Sequence, residues 1–488
     1  IGGETVWTNE EIASINPTRP AEVIGRVAKA GLAEASSAVT AAQSAALKWS
    51  RTAVYDRARC FASLGELLHR ERFDLAALEV FETGKTWMEA DADVAEAIDF
   101  CRFYAQEMQR LAEAKYLVPG EVNVHHYVPR GVAVVIAPWN FPLAILCGMT
   151  VAVLVTGNCA IIKPSEQSSV VAARLMQLLQ QAGVPGGVAN FLPGSGAQIG
   201  AYLVEHPGVD LIAFTGSREV GLKIWEAAGR TKPGQKQLKK VICEMGGKNA
   251  VIIDSDADLD EAIPAIIQSA FGYQGQKCSA LSRLIVLADI HDRLMERLIA
   301  ATRDLRMGPP EEPGTMLGPL IDRDAFEGVR EYVKLGKQEA TVAFEGDLPK
   351  GDGYFVPPTI FTQVPPTARI AQEEIFGPIL CVLKARDLEE ALAWANSTPY
   401  ALTGGFFSRS PAHIERVRAE FEVGNLYINR GITGAIVARH PFGGFKMSGG
   451  GTKAGGRDYL LNFMFPRVVT ENVLRRGFAP DGVTDSRE

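Results

Sequence analysis

From Gly131 onward, short apolar, β-branched runs alternate with longer segments of helical character, and this pattern restricts the fold of the 488-residue chain more than any other feature. The runs fall at 132–137, 159–162, 188–192, 211–214 and 241–243, with helical segments such as 168–182 and 219–228 between them. Strands that are apolar throughout are buried on both faces, and helical crossovers between them build a parallel sheet. The predicted fold class is therefore α/β. A second series starts near Asn249 and runs to about Phe445, with apolar runs at 251–253, 284–287 and 379–383. It predicts a second α/β domain, and at about 100–200 residues per domain the chain has room for both. Residues 31–109, rich in Ala, Glu, Leu and Arg, predict helices that cover the first sheet. Residues 115–130, with His125-His126-Tyr127-Val128 in an alternating context, predict an exposed β-hairpin able to pair with another subunit.

No charged residue occurs from 131 to 162, a stretch long enough to cross a bilayer. Pro138, Asn140 and Pro142 break its first half and Gly157-Asn158 its second, so it predicts strand, loop, buried helix, turn and strand. Fifty Lys and Arg against 57 Asp and Glu give a net charge of −7, and no basic field exists to hold nucleic acid or an anionic membrane. Seven cysteines without a CxxC pair or zinc spacing predict a reducing, cytoplasmic setting and no metal site. The opening IGGETVWTNEEIA has no basic or apolar signal region, and its lack of an initiator methionine is what a piece of a longer chain would show. The polar residues 477–488 predict a disordered tail.

Some motifs fail on inspection. Asp254, Asp256, Asp258 and Asp260 alternate like a calcium loop, but Leu259 and Ala265 stand where Gly and Glu are required. They are better placed as an acidic N-terminus for a helix beginning near Leu259. Gly246-Gly247-Lys248 is followed by Asn249, where a phosphate loop needs Ser or Thr. The glycines from 449 to 456 have no flanking strand and predict a flexible loop, and the seven histidines are scattered.

One constellation carries chemistry. Cys278 lies in Gly272-Tyr273-Gln274-Gly275-Gln276-Lys277-Cys278-Ser279-Ala280, a polar, glycine-punctuated segment that predicts an exposed thiol activated by the adjacent Lys277. The strand at 241–243 runs into Glu244-Met245-Gly246-Gly247-Lys248, a carboxylate at the carboxyl end of a buried strand, where α/β proteins place their sites. The strand at 132–137 runs into Pro138-Trp139-Asn140-Phe141-Pro142, whose prolines fix the Asn140 amide. An oriented amide stabilises an oxyanion by about 3 kcal/mol.

These three segments, in this order and spacing, resemble the NAD(P)-dependent aldehyde dehydrogenase superfamily, from roughly Asn16 to Ala479. Lys163-Pro164-Ser165-Glu166, Phe214-Thr215-Gly216-Ser217, Glu374-Ile375-Phe376-Gly377-Pro378 and Pro441-Phe442-Gly443-Gly444-Phe445 match as well. The resemblance implies that Cys278 attacks an aldehyde, that Asn140 and the Cys278 N–H hold the oxyanion, and that hydride passes to NAD. It implies further that Glu244 activates the water that hydrolyses the thioester, since relatives that pass the acyl group to coenzyme A or phosphate generally lack this Glu. In place of a GxGxxG turn, the family uses Gly216 and Ser217 with the following helix near the pyrophosphate. Lys163 and Glu166 match the adenosine-ribose residues, a carboxylate there favouring NAD over NADP. Glu374 and Phe376 match those holding the nicotinamide ribose.

Residues 271–280, 432–437, 443–449 and 453–456 resemble the L-glutamate γ-semialdehyde (1-pyrroline-5-carboxylate) dehydrogenase branch, the second step of proline catabolism. The resemblance implies that Lys277, Ser279 and the Gly434-Ala435 backbone bind the substrate carboxylate and that Phe141 and Phe445 flank its chain. Glu96 is a candidate for the α-amino group, against the alternative of a solvated helix face. The implied architecture is an NAD-binding domain (1–114 and 130–245), oligomerisation elements (115–129 and 458–472) and a catalytic domain (246–446). A homo-oligomer is expected, either standing alone or as the C-terminal half of bifunctional proline utilization A, with proline dehydrogenase as the possible fused or channelling partner. The alternatives are a dehydrogenase of succinic or another ω-semialdehyde, a catalytically silent assembly homologue, and a cysteine hydrolase, for which no partner histidine is recognisable.

Overall fold

A computed structural model describes residues 1–111 and 114–474. The predicted tail at 477–488 lies outside the described residues. The chain opens with an antiparallel pair, β1 (Glu11–Asn16) and β2 (Arg19–Ala28), which sequence periodicity did not disclose. Helices α1 (Leu32–Ser50), α2 (Val54–Arg70), α3 (Arg72–Thr83) and α4 (Trp87–Arg110) follow, as the Ala- and Leu-rich composition predicts. Their buried faces, including Val39, Phe61, Leu64, Leu68 and Tyr104, join one core with the first large sheet.

That sheet contains β5 (Val132–Ile136), β6 (Cys159–Lys163), β7 (Ala189–Phe191), β8 (Leu211–Thr215) and β9 (Lys240–Glu244) in the order β7-β6-β5-β8-β9, all parallel. Each strand falls within two residues of its predicted run, because a strand that is mostly apolar has only one burial solution. Helix α5 (Ala144–Val155) is buried almost all round and connects β5 to β6, which accounts for the uncharged stretch. Among the described residues no helix is long and apolar enough to cross a membrane. Helices α6 (Ser169–Gln181), α7 (Ala201–Glu205) and α8 (Arg218–Gly229) complete this unit.

The second sheet runs β12 (Thr341–Glu345), β13 (Thr359–Thr362), β14 (Ile379–Ala385), β11 (Leu281–Leu287), β10 (Asn249–Ile253), β16 (Thr403–Phe407) and β17 (Asn425–Ile428). All its pairings are parallel except the edge pair β12–β13. Helix α9 (Leu259–Phe271) links β10 to β11, and Asp258 caps it by accepting the Asp260 N–H at 3.0 Å. Asp254 and Asp256 do not serve that helix: Asp254 receives the Ser408 hydroxyl and pairs with His413, and Asp256 receives the Ser408 hydroxyl and the Arg409 N–H. The predicted hairpin is β3 (Ala114–Val118) and β4 (Glu121–Pro129), and β19 (Met464–Asn472) pairs along β4 to make a three-stranded sheet. Finally, β15 (Tyr400–Ala401) and β18 (Phe445–Lys446) form a short antiparallel pair.

Candidate active site

Chain order in the first sheet reverses at β5, with β6 and β7 on one side and β8 and β9 on the other. Loops leaving β5 and β8 diverge, and the carboxyl end of such a sheet is where α/β folds open a crevice. Asn140 follows β5, Lys163 ends β6, Gly216 and Ser217 follow β8, and Glu244 ends β9. Residues 245–248 then lead directly into β10 of the second sheet, whose neighbour β11 begins just after Cys278. The carboxyl end of one sheet thus meets the amino end of the other.

The Cys278 segment is held in an unusual backbone. Tyr273 and Gln274 take left-handed φ values of 52° and 56°, disfavoured for side chains with a Cβ and sustained only where surroundings impose them. Here the Tyr273 hydroxyl donates to Thr83 O at 3.0 Å and the Gln274 amide donates to Pro319 O at 2.8 Å. Asn249 donates to both Cys278 O and Ala280 O at 2.8 Å. Asn140 Nδ2 donates to Gln276 O at 3.0 Å, which places the amide beside the cysteine turn. A Cβ on Gly246 would collide with the Glu374 carboxylate, and one on Gly247 would crowd Cys278 O. The two glycines after Glu244 are therefore required by close approach.

The electrostatics of the thiol reverse the sequence expectation. The Lys277 ammonium is taken by Glu89, at 2.8 and 2.7 Å from its two carboxylate oxygens. Burial and the nearby Glu374 and Glu244 carboxylates push the Cys278 thiol up to about 12. Adjacent in sequence, the cation is not the partner of the thiol, because its long side chain finds a carboxylate on α4. Glu244 is itself pushed up to about 8 by burial, opposed by the Thr452 hydroxyl, which donates to Oε1 at 2.5 Å. Burial raises Glu374 to about 7, opposed by the Gly247 N–H at 2.9 Å.

Cys278 and Glu244 share a cavity of about 120 Å³ with Phe141, Ser279, Gly434 and Ala435. Glu96 also lines it, together with Phe100 and Tyr104, at four-residue spacing along one face of α4. The solvated-face alternative for Glu96 is therefore set aside; burial, with Asp93 nearby, pushes its carboxyl up to about 8. Two predicted substrate residues are placed elsewhere. Lys277 is engaged by Glu89 and is not among the lining residues. Phe445 is 40% exposed in the β15–β18 pair, and Phe442, three residues earlier, lines the cavity instead.

The candidate cofactor residues gather at the first sheet. Ser217 caps α8 by accepting the Val220 N–H at 3.3 Å, and Gly216 N–H donates to Glu244 O at 3.1 Å. Buried Lys163 donates to Pro164 O at 2.9 Å, and Glu166 accepts the Gly196 N–H at 3.3 Å. Phe376, with φ 60°, packs edge-on against Trp139 at 5.6 Å. Tyr104 had no local sequence signal, and Asn249, Thr452 and Phe442 lay in segments the sequence marked without disclosing their contacts, which are with distant elements. The glycine-rich 449–456 segment is anchored: Glu244 bridges Gly449, Phe442 bridges Ala454, and the Lys453 ammonium donates to three oxygens. Among the described residues no cluster of His, Cys, Asp or Glu could hold a metal ion.

A half-buried thiol, a side-chain amide and a carboxylate converge beside a dinucleotide-type crevice on an α/β scaffold, an arrangement able to carry covalent acyl chemistry. Residues 6–469 match the aldehyde dehydrogenase family model, and the chain belongs to that family. It is 50% identical over 473 residues to the 1-pyrroline-5-carboxylate dehydrogenase of Geobacillus thermodenitrificans, covering 96% of this chain and 92% of that protein. The Bacillus subtilis enzyme of the same name is 47% identical with the same coverage. A Thermus 1-pyrroline-5-carboxylate dehydrogenase solved with bound NAD superposes with a TM-score of 0.95 at 49% identity, covering 97% of this chain and 92% of that one. Proline utilization A from Bdellovibrio bacteriovorus, inactivated by N-propargylglycine, gives 0.97 at 50% identity over 98% of this chain, which spans 50% of that longer protein.

Proposed function

We propose that the chain oxidises L-glutamate γ-semialdehyde, the open form of 1-pyrroline-5-carboxylate, to L-glutamate with NAD as hydride acceptor. The observation that carries this is the single cavity in which Cys278, Glu244, Ser279, Gly434-Ala435 and Glu96 meet. It supplies a nucleophile, a base, donors for a carboxylate and an acceptor for an ammonium.

The Cys278 thiol gives its proton to solvent water, and the thiolate so formed bonds to the aldehyde carbon. Asn140 uses one amide N–H on Gln276 O, and its second N–H, with the Cys278 backbone N–H, holds the oxyanion. The residues present fit NAD: Lys163 and Glu166 would hold the adenosine ribose, Gly216, Ser217 and the start of α8 the pyrophosphate, and Glu374 and Phe376 the nicotinamide ribose. When bound, NAD supplies the hydride acceptor and a positively charged ring. Glu244 then takes a proton from water as that water attacks the thioester, and Cys278 leaves as the thiolate. Ser279 and the Gly434-Ala435 backbone bind the substrate carboxylate, and Phe141 and Phe442 flank the chain. Lys277 contributes through Glu89, by fixing the cysteine loop to α4. Residues 1–114 and 130–245 form the dinucleotide domain, 246–446 the catalytic domain, and the β3–β4–β19 sheet an oligomerisation element.

The test is NADH formation measured by absorbance with 1-pyrroline-5-carboxylate, succinic semialdehyde and propanal. A kcat/KM at least 100-fold higher for the first, about 2.7 kcal/mol of discrimination, is expected. Comparable values for all three would remove the substrate assignment and leave the aldehyde chemistry standing.

A further inference from the structure

The carboxylate of Glu244 is enclosed by the loop after Pro441. A Cβ on Gly443 would come within 2.9 Å of its Oε1, and one on Gly449 within 3.1 Å of its Oε2. Gly449 bridges the Glu244 backbone, and Met245 N–H donates to Ser448 O at 2.8 Å. Into this glycine cradle a single hydroxyl projects. Thr452 donates to Oε1 at 2.5 Å, whereas among the described residues buried Oε2 has no hydrogen-bond partner.

We infer that Thr452 is a positioning residue for Glu244: its hydroxyl fixes Oε1 in the cradle and leaves Oε2 as the oxygen that takes the proton of the attacking water. A buried carboxyl with both oxygens free would rotate and favour its protonated form, in which it cannot act as a base. One charge-assisted hydrogen bond opposes both tendencies. The other charged and titratable groups near Glu244 are Lys453 on the loop, Cys243 on β9, Cys278 across the cavity, and Tyr104 and Tyr459. Of these, Lys453 spends its donors on Gly424 O, Asn425 Oδ1 and Gly443 O. Thr452 is the side chain that hydrogen-bonds to the carboxylate, and the Gly444 backbone N–H is the further, weaker donor toward it.

This inference rests on Glu244 being the hydrolytic base, and the test separates the two. Thr452→Val keeps the shape and removes the donor, and Thr452→Ser restores it. Pre-steady-state NADH formation reports acylation, and steady-state turnover at saturating NAD and semialdehyde reports deacylation across pH 6–10. The expected result for Thr452→Val is an unchanged burst rate, a turnover at pH 7 lowered about 10-fold, and an acidic limb moved up by about one pH unit. Loss of the donor destabilises the ionised base, so more alkaline solution is needed to form it. Thr452→Ser should return the limb to its original position. An unmoved limb in Thr452→Val, or a burst lost together with turnover, would overturn the inference. Glu244→Gln run alongside tests the underlying reading, since unchanged turnover there would remove Glu244 as the base whatever Thr452 does.

Discussion

At the residue scale, the chemistry rests on groups whose protonation is set by burial rather than by sequence neighbours. With its thiol pushed up to about 12 by burial and the nearby Glu374 and Glu244 carboxylates, Cys278 is held as the thiol at neutral pH in the free protein. Inactivation of the free protein by iodoacetamide should accelerate through pH 9 without levelling off. A plateau below pH 8 would show a thiolate already formed and contradict the placement of Lys277 on Glu89. Cys278, Glu244 and Asn140 were legible because each adjoins a buried strand and stands among glycines or prolines that mark a constrained turn. Lys277 and Phe445 were not. The ion pair of Lys277 spans 188 positions of sequence, and which phenylalanine of Pro441-Phe442-Gly443-Gly444-Phe445 faces the cavity depends on the turn at the glycines between them.

At the element scale, the cavity that Cys278 and Glu244 share is shaped by helix α4 and the loop leading into α5. Between them lies a buried triad in which Lys85, 1% exposed, pairs with Glu79 at 3.0 Å and with Asp93, while Asp93 accepts the Ala144 N–H at 2.9 Å. The Lys85 ammonium also stands 4.6 Å from the centre of the Phe141 ring. Removing the lysine leaves two buried carboxylates uncompensated, so Lys85→Met should lose about 3–5 kcal/mol of stability in chemical denaturation. A denaturation midpoint equal to the parent's would show that the triad carries no stability. The strands of the first sheet were readable from their unbroken apolar runs. Strand β16, Thr403–Phe407, was not, because Phe421 and Ile432 pack where side chains at Gly404 and Gly405 would stand. Close packing there demands the residues that weaken a strand signal.

At the scale of the whole molecule, two α/β units meet so that Glu244 comes from the end of one sheet and Cys278 from the start of the other. The three-stranded sheet stands apart from that junction. Its edge strands β19 and β3 expose Val468, Val469, Tyr116, Leu117 and Val118, and open apolar edges of this kind invite pairing with a second chain. Val468→Arg should therefore lower the mass found by sedimentation velocity without changing turnover per active site. An unchanged mass would take self-association away from this edge. The most direct test of the whole account is intact-mass analysis of Glu244→Gln mixed with NAD and L-glutamate γ-semialdehyde. A glutamyl thioester on Cys278, formed with one NADH per site and absent in Cys278→Ala, is the predicted result. NADH release with no acyl adduct on Cys278 at any time would contradict it.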